Sequence, residues 1–579
     1  MPSSTSLPRA PVAWAAAALL AVHIGVAFFL RSPGLTTAGD DSTYLLLGRS
    51  LRDLQYVDQF LVGAPVEAQY PPLYPATLAL IGAVFGERLE LFIAASIVFS
   101  AAALLVVFLG TLPHSRPLAF IGLTLGAVNL DLLRMAGTIR SEPLFMLLVA
   151  GALVLLAKPD ATRRSLACAG ALAIAAALTR SAGVAVVAAV LTTWLVQRRW
   201  RPASWLVAAS LVTLGPWLAW TVVAPGKLAG RSYVADLLLP GPPAPSPPPP
   251  AAIPSPQRSV PDSSSPPSAP PSPIPGAGQD STAAPATAVS VGPSRLVATL
   301  WHRVTTNLAR YASRGVPDAL GLPRVPGTDL DNWLWLIVLV AAGVAGLWRL
   351  SRWWPAAAAT LIGYGLLLAV WPYTVGRFLT PMLPLAILAL VTGSAALASR
   401  FGFRRPIIVP LAFAVLVLIG SLPPAGRALR QSAQCDRDRA TESAGCFDQV
   451  ERAFFSAIAF IADSTPSTAR FLTAKEAVFY YYTGRQVAPL PPLLAARQRD
   501  VRGYLSRLGA DYILLSHLKY DEWALIGPLN AMCRDFELVR RFGPGTVLLR
   551  IDPPSEPEGE EACEAIREYD RTPWGSRLP

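Results

Sequence analysis

Gly39-Asp40-Asp41-Ser42-Thr43-Tyr44 places two adjacent carboxylates and a phenol just after the first apolar segment of the chain. Tyr44, Leu47, Gly48 and Leu51 follow at helical spacing. A second segment, Tyr70-Pro71-Pro72-Leu73-Tyr74-Pro75, adds a rigid aromatic-proline stretch. Arg134, Arg140, Glu142, Arg180 and Arg377 stand at the ends of later apolar segments. A carboxylate can take the proton of a hydroxyl, and a guanidinium is shaped to hold a phosphate. Together they suggest chemistry on a lipid-linked substrate at a membrane surface. Each residue also has a plainer role. Asp41 or Ser42 can cap a helix. Arg134 and Arg140 can snorkel to headgroups. Glu142, just before Pro143, can serve as a helix-start acid.

The elements that must position these groups are membrane spans. Of 579 residues, 53% are hydrophobic and 15% charged. Mean hydropathy is +0.43. A soluble chain of this length would carry about 25% charged residues. A spanning helix needs roughly 20 apolar residues. The candidate spans are 11–30, 89–111, 117–134, 141–157, 165–179, 181–197, 203–223, 332–348, 355–371, 378–398 and 406–424. This is an all-α polytopic membrane protein of about 11 transmembrane helices. The apolar segment 71–85 is short and Pro-led, and reads as interfacial or partly re-entrant. His23 lies within an apolar stripe, as a buried neutral side chain.

Basic residues in short loops set the orientation. With the N-terminus cytoplasmic, the inner loops hold Arg9, Arg116, Lys158, Arg163, Arg164, Arg198, Arg199, Arg201, Arg349, Arg352, Arg400, Arg404 and Arg405. Only Asp160 opposes them, and the short outer loops hold single arginines. The net charge of +12 needs no nucleic-acid partner once these loops are counted. The first segment reads as an uncleaved anchor. The expected location is the bacterial cytoplasmic (inner) membrane, an origin suggested by a composition rich in Ala, Arg and Pro and poor in Lys.

Residues 1–424 would then form the transmembrane domain, with the outer loop 31–88 carrying the acidic motif. Segment 240–290 is nearly all Pro, Ser, Ala and Gly and reads as a disordered insertion. Residues 296–314 suggest an interfacial helix, with Leu296, Leu300, Val304, Leu308 and Tyr311 on the apolar face and Arg303 outside it. Residues 425–579 turn globular and predict a small extracytoplasmic α/β domain. Its strands are read at 469–473, 511–515 and 546–550, with a helix from Lys475 to Tyr482 ended by Gly484 and a solvated acidic tail at 554–564. Cys435, Cys446, Cys533 and Cys563 fall in this outer part. Proximity favours Cys435–Cys446 and Cys533–Cys563 disulfides over a zinc site, while Cys168 reads as a buried small hydrophobe.

No P-loop or HExxH motif is present, and four scattered histidines argue against a histidine metal site. A transporter or assembly partner for a lipid or polysaccharide is the alternative reading. It would predict internal repeats and acids at mid-membrane depth. The acids here stand at span ends.

The motifs taken in order resemble the GT-C superfamily of integral-membrane glycosyltransferases. The branch concerned holds protein O-mannosyltransferases, lipid A aminoarabinose transferases and lipopolysaccharide galacturonosyl transferases. Asp40 with Tyr44 four residues on resembles the family's first outer-loop motif, although Asp41 stands where the family usually has Glu. Tyr70 to Pro75, Ser141-Glu142-Pro143-Leu144-Phe145, Thr179-Arg180 and Arg377-Phe378 with Pro381 resemble later landmarks. Lys475 through Arg485 resembles the start of the family's outer domain. The likeness covers roughly 31–220 well and the rest loosely, and the Pro-rich insertion departs from it.

The resemblance implies transfer of a sugar from a polyprenyl-phosphate donor to a lipid, glycan or protein hydroxyl, with inversion. The topology implies the same donor class, because nucleotide sugars stay in the cytoplasm while the site faces out. Asp40, supported by Asp41, would be the catalytic base, with Arg377 and either Arg180 or Arg140 on the departing phosphate. Tyr44, Glu142, Tyr70 and Tyr74 would position the acceptor. No cofactor is fixed by this reading; Asp41 and Glu142 would be the ligands of a divalent cation if one is used.

Overall fold

The computed structural model describes residues 9–37, 39–157, 161–223, 293–323, 330–372, 376–439, 441–443, 445–488, 501–518, 522–543, 545–551 and 556–571. The Pro-rich segment 240–290 lies outside them. Every apolar segment expected to span is helical. In chain order these are α1 (Arg9–Phe29), α4 (Leu89–Thr111), α5 (Arg116–Val128) with α6 (Leu130–Ala136), α7 (Ser141–Leu156), α8 (Arg163–Thr179), α9 (Val184–Val196) and α10 (Trp200–Val223). They continue with α13 (Leu330–Trp353), α14 (Pro355–Val370), α15 (Leu383–Arg400) and α16 (Ile408–Ala433). By length and apolarity six described helices can cross a membrane, or seven if the bent α5–α6 pair is one span. Four shorter apolar helices, including residues 73–85, lie beside them. The protein is a polytopic membrane protein.

Packing within the bundle depends on small residues, as expected where lipid removes the hydrophobic drive between helices. A Cβ on Gly346 of α13 would collide with the Ala389 carbonyl, and one on Gly393 of α15 with the Ala342 carbonyl. The α5–α6 pair bends by 59° at Asn129. The break is held by side chains: Asn129 Oδ1 accepts from Leu132 N at 3.0 Å and its Nδ2 donates to Ala319 O at 2.6 Å. His23 is fully buried next to it. Its Nδ1–H donates to Ala127 O at 2.9 Å, and Nε2 is hydrogen-bonded with Ser100 Oγ at 3.0 Å. Both ring nitrogens are hydrogen-bonded, and the side chain is buried as the sequence suggested.

Two elements of the first outer loop lie under the site: α2 (Asp41–Arg52) and α3 (Leu73–Phe85). Helix α11 (Pro293–Arg310) keeps part of the expected face, with Leu300 and Val304 half-buried, but shifts it toward Arg303. Arg303, Asn307 and Tyr311 are buried, whereas Leu308 is exposed. The physical reason is polar. Asn307 Nδ2 lies 3.2, 3.1 and 2.7 Å from the carbonyls of Leu368, Ala369 and Trp371, capping the end of α14, so that face must turn inward. Helix α12 (Val316–Leu320) closes this stretch. The span expected over 406–424 continues through Pro423 and Pro424 to Ala433, a run that membrane helices tolerate.

Beyond α16, α17 (Gln449–Ser464) leads into a five-stranded sheet of order β2-β1-β3-β5-β4. The strands are β1 (Phe471–Thr473), β2 (Val487–Ala488), β3 (Tyr512–Leu515), β4 (Glu537–Gly543) and β5 (Thr546–Arg550). β1 pairs in parallel with β2 and β3, while β5 runs antiparallel to β3 and β4. Helices α18 (Glu476–Thr483), α19 (Val501–Leu508), α20 (Trp523–Ala531) and α21 (Glu556–Arg571) complete the α/β layer. Gly484 ends α18 in the left-handed region, at φ 69°.

Both disulfides join the expected partners, Cys435–Cys446 and Cys533–Cys563. Two expectations are corrected. Cys168 is exposed, because it lies on the outward face of α8, away from the Leu166–Ala169–Ala173 stripe that packs inward. The acidic tail is helix α21, whose Ala562, Ala565, Ile566 and Tyr569 are buried against the sheet while Glu560 and Glu561 stay outside. Its helical period puts acids on one face and apolar groups on the other.

Candidate active site

Asp40 is the residue before α2, the position where a carboxylate would ordinarily cap the helix, yet its side chain makes no capping bond. Both oxygens point elsewhere. Oδ2 accepts from Arg377 Nη2 at 2.9 Å, and Oδ1 accepts from the Tyr70 hydroxyl at 3.1 Å. The carboxylate stays 29% exposed and Arg377 30%. Asp40 is thus a partly open, ion-paired carboxylate that contributes no capping bond to α2.

Asp41 is arranged in the opposite way. Its Oδ2 accepts from Thr36 N at 2.7 Å and Thr36 Oγ at 2.9 Å, and Oδ1 accepts from Ser42 N at 2.9 Å. It is only 1% exposed. Burial raises its carboxyl pKa above the usual range, and the bonds from Thr36 and Ser42 offset this only in part. Asp41 shapes the turn that presents Asp40.

For Asp40 the balance goes the other way. Burial pushes its pKa up, but the Arg377 charge, the Tyr70 hydrogen bond and then the Arg180 and Arg140 charges outweigh it. The carboxyl is held below the ordinary aspartate value.

Arg180 reaches the site from the break between α8 and α9. The chain turns sharply through Ser181–Gly183, and a Cβ at Gly183 would collide with the backbone of Ala176 and Ala177. Only glycine allows that approach. Arg180 Nη1 bridges Glu142 Oε1 at 2.9 Å and donates to Ser141 Oγ at 2.8 Å. Ser141 Oγ lies 3.1 Å from the Tyr44 hydroxyl. Tyr44 in turn packs edge-on against Tyr70 and Tyr74, with ring centroids 5.1 and 4.9 Å apart. Arg140 lies close by: a Cβ on Gly39 would be 3.6 Å from its Nη2.

These groups border a cleft of about 580 Å³ lined by Asp40, Tyr44, Tyr70, Arg180, Arg377 and, on its apolar wall, Trp371 with Phe378, Leu367 and Leu368. Of the residues the sequence singled out, Asp40, Tyr44, Tyr70, Arg180 and Arg377 line it. Glu142 stands behind Arg180, and Tyr74 is core beneath Tyr44. Arg134 is exposed elsewhere and does not join them. Sequence reasoning missed Ser141, which lies inside a motif it had quoted, and Tyr364, whose hydroxyl donates to Phe378 O at 2.9 Å beside Arg377. A tyrosine in an otherwise apolar span was the available signal for the latter.

The donor set does not suit a divalent cation. Asp41 spends its oxygens on three N–H and O–H donors, and Glu142 spends one on Arg180. Among the described residues no group of three or more His, Cys, Asp or Glu could hold a metal ion.

In its fold the chain is similar to ArnT from Cupriavidus metallidurans. The ArnT structure bound to undecaprenyl phosphate aligns over 93% of this chain and 99% of that chain, at TM-score 0.50 and 14% identity. The apo structure aligns over 94% and 99%, at TM-score 0.52 and 13% identity. The chain thus shares the ArnT fold. No protein-family model matches the sequence, and no curated protein matches it.

Proposed function

We propose that this protein is a membrane glycosyltransferase that moves a sugar from a polyprenyl-phosphate donor to an acceptor hydroxyl on the extracytoplasmic face, with inversion. One observation carries the reading: a carboxylate and two guanidinium groups, Asp40, Arg377 and Arg180, border one cleft that also has an apolar wall. The GT-C fold shared with a protein crystallised on undecaprenyl phosphate supports it.

Arg377 and Arg180 receive the donor phosphate, with Arg140 adding charge nearby. The apolar wall of Trp371 and Phe378 takes the first part of the lipid. As the phosphate engages Arg377, Asp40 loses part of its counter-charge and becomes a stronger base. Asp40 then takes the acceptor O–H proton while that oxygen attacks the anomeric carbon from the face opposite the phosphate. The bond from that carbon to the phosphate oxygen breaks, and polyprenyl phosphate leaves with the electron pair, stabilised by the two arginines. Tyr70 holds Asp40 in line, and Glu142 and Ser141 hold Arg180. No step uses a metal.

The same reading divides the chain near residue 424 into a transmembrane catalytic domain and an extracytoplasmic domain over 425–579, with the N-terminus inside a bacterial cytoplasmic membrane. The two disulfides favour an oxidising compartment for the outer part. A phosphatase reporter fused after residue 430 should be active, and activity there of a cytoplasm-only reporter would invert the topology.

The test of function is thin-layer analysis of the purified protein with labelled polyprenyl-phosphate sugars and an extract of envelope acceptors. Label should pass to an acceptor with release of polyprenyl phosphate. Label crossing a vesicle membrane with its phosphate bond intact would instead mark a transporter.

A further inference from the structure

Three consecutive residues just before Asp40 are each held by a different partner. Leu35, fully buried, donates its N–H to the Tyr482 hydroxyl oxygen at 3.3 Å. Thr36 donates twice to Asp41. Thr37, 1% exposed, donates its hydroxyl to Glu451 Oε1 at 2.6 Å. Tyr482 and Glu451 lie 447 and 414 residues further along, on α18 and α17.

Glu451 is a rigid support. It forms a capping box with Asp448: its N–H donates to Asp448 Oδ1 at 2.9 Å, and its Oε2 accepts from Asp448 N at 3.2 Å. Its other oxygen reaches Thr37, and a short buried O–H to carboxylate bond is of the strong class. The fit at Tyr482 is close too, since a Cβ on Gly34 would lie 2.9 Å from its hydroxyl oxygen. Further back, Val487 N donates to Phe60 O at 2.9 Å and Val62 N to Val487 O at 3.0 Å, while Arg49 of α2 stacks 4.8 Å over the Tyr481 ring. The sheet-bearing unit therefore grips the loop that carries Asp40 at several points, and the nearest of them is three residues away.

We propose that Glu451, with Tyr482 as a second anchor, is a positioning residue for Asp40: the sheet-bearing unit holds the 35–37 turn and thereby aims the carboxylate at the acceptor. The proposal rests on Asp40 being the base. Neither Glu451 nor Tyr482 touches a reacting atom, and neither lines the cleft. Their effect should fall on turnover and spare donor binding, because Arg377 and Arg180 are not held by this contact. A misplacement of about 1 Å can cost about 10²-fold in rate.

The experiment uses the full chain in detergent or nanodiscs. It compares wild type, Thr37→Val, Thr37→Ser and Glu451→Gln in kcat, donor KM and hydrogen exchange of peptides covering 34–46. Thr37→Val keeps the shape and removes the hydroxyl. It should lower kcat roughly 10–100-fold at unchanged donor KM, with faster exchange across the turn. Thr37→Ser should restore both. Glu451→Gln retains hydrogen-bonding capacity at Thr37 and Asp448 without the charge, and should shift both readouts the same way by less. Faster exchange in Thr37→Val with wild-type kcat would overturn the proposal, leaving only a structural fastening. Unchanged exchange would overturn it regardless of activity. If the wild-type protein transfers no sugar from any polyprenyl-phosphate donor, the base reading fails and the positioning role falls with it; the exchange data still report whether the contact holds the turn.

Discussion

Asp40→Asn should abolish sugar transfer while the protein inserts and melts like wild type. Losing a general base costs ~10²–10⁴-fold. The substitution is informative because Asp40 caps nothing. Its carboxylate meets Arg377 and Tyr70, so an isosteric amide costs the helix no capping bond. Asn can still accept from either Tyr70 or Arg377, though not from both, while the proton acceptor is removed. Near-wild-type turnover in Asp40→Asn would reduce Asp40 to a structural partner of Arg377. Asp41→Asn should lose much less, since an amide oxygen can still accept from Thr36 and the residue does not line the cleft. Single-turnover kinetics with labelled donor, alongside thermal melting, would resolve both variants.

Arg377→Gln should give the second large effect, a fall in kcat of ~10²–10³-fold from lost stabilisation of the departing phosphate. It should also move the pH profile, because Arg377 is the foremost influence opposing burial at Asp40. A carboxyl with a depressed pKa stays ionised until the pH falls below that depressed value. The acid limb of kcat/KM in the wild type should therefore lie below the ordinary aspartate value of about 3.9. Without Arg377, burial is opposed only by Tyr70, Arg180 and Arg140. The limb should then move to higher pH, so activity is lost earlier on acidification. Rates of the variant measured across the acid range would show this. An unmoved limb would mean that Arg377 does not set the ionisation of the base, and loss of activity with no change in phosphate affinity would remove it from the donor site.

The two variants also separate readings that the fold alone leaves joined. A lipid transporter could use the arginines to grip a phosphate and would have little use for a base. It predicts a strong defect in Arg377→Gln and a mild one in Asp40→Asn. The transferase predicts large losses in both.

What the sequence determined by itself was local. Each apolar segment is a helix because length and composition suffice for a chain whose backbone must satisfy its own hydrogen bonds in lipid. The strands at 471–473, 512–515 and 546–550, the Gly484 stop and the cysteine partners were legible for the same reason, as patterns within a few dozen residues. The acidic motif could be found, and the family resemblance singled out Asp40 as the base, but nothing local showed what makes its two carboxylates differ. Asp40 and Asp41 are neighbours of one chemical type, and only the fold turns one toward a cleft and buries the other under Thr36. The resemblance named Arg377 with Arg180 or Arg140 for the phosphate, but the direct pairing of Arg377 with Asp40 was hidden. Arg377 meets Asp40 across 337 residues, while Arg134, as plausible by position, faces away. Helix α11 shows the same limit: Tyr311 of its apolar stripe is buried, but Asn307, drawn to three carbonyls at the end of α14, shifts the inward face toward Arg303 and leaves Leu308 exposed. The rotation of a helix about its axis is set by what it packs against, and that partner is not written in its own periodicity. The grip of Glu451 on Thr37, across 414 residues, could come only from the tertiary structure, because a single polar contact between distant segments leaves no mark in the local pattern of either.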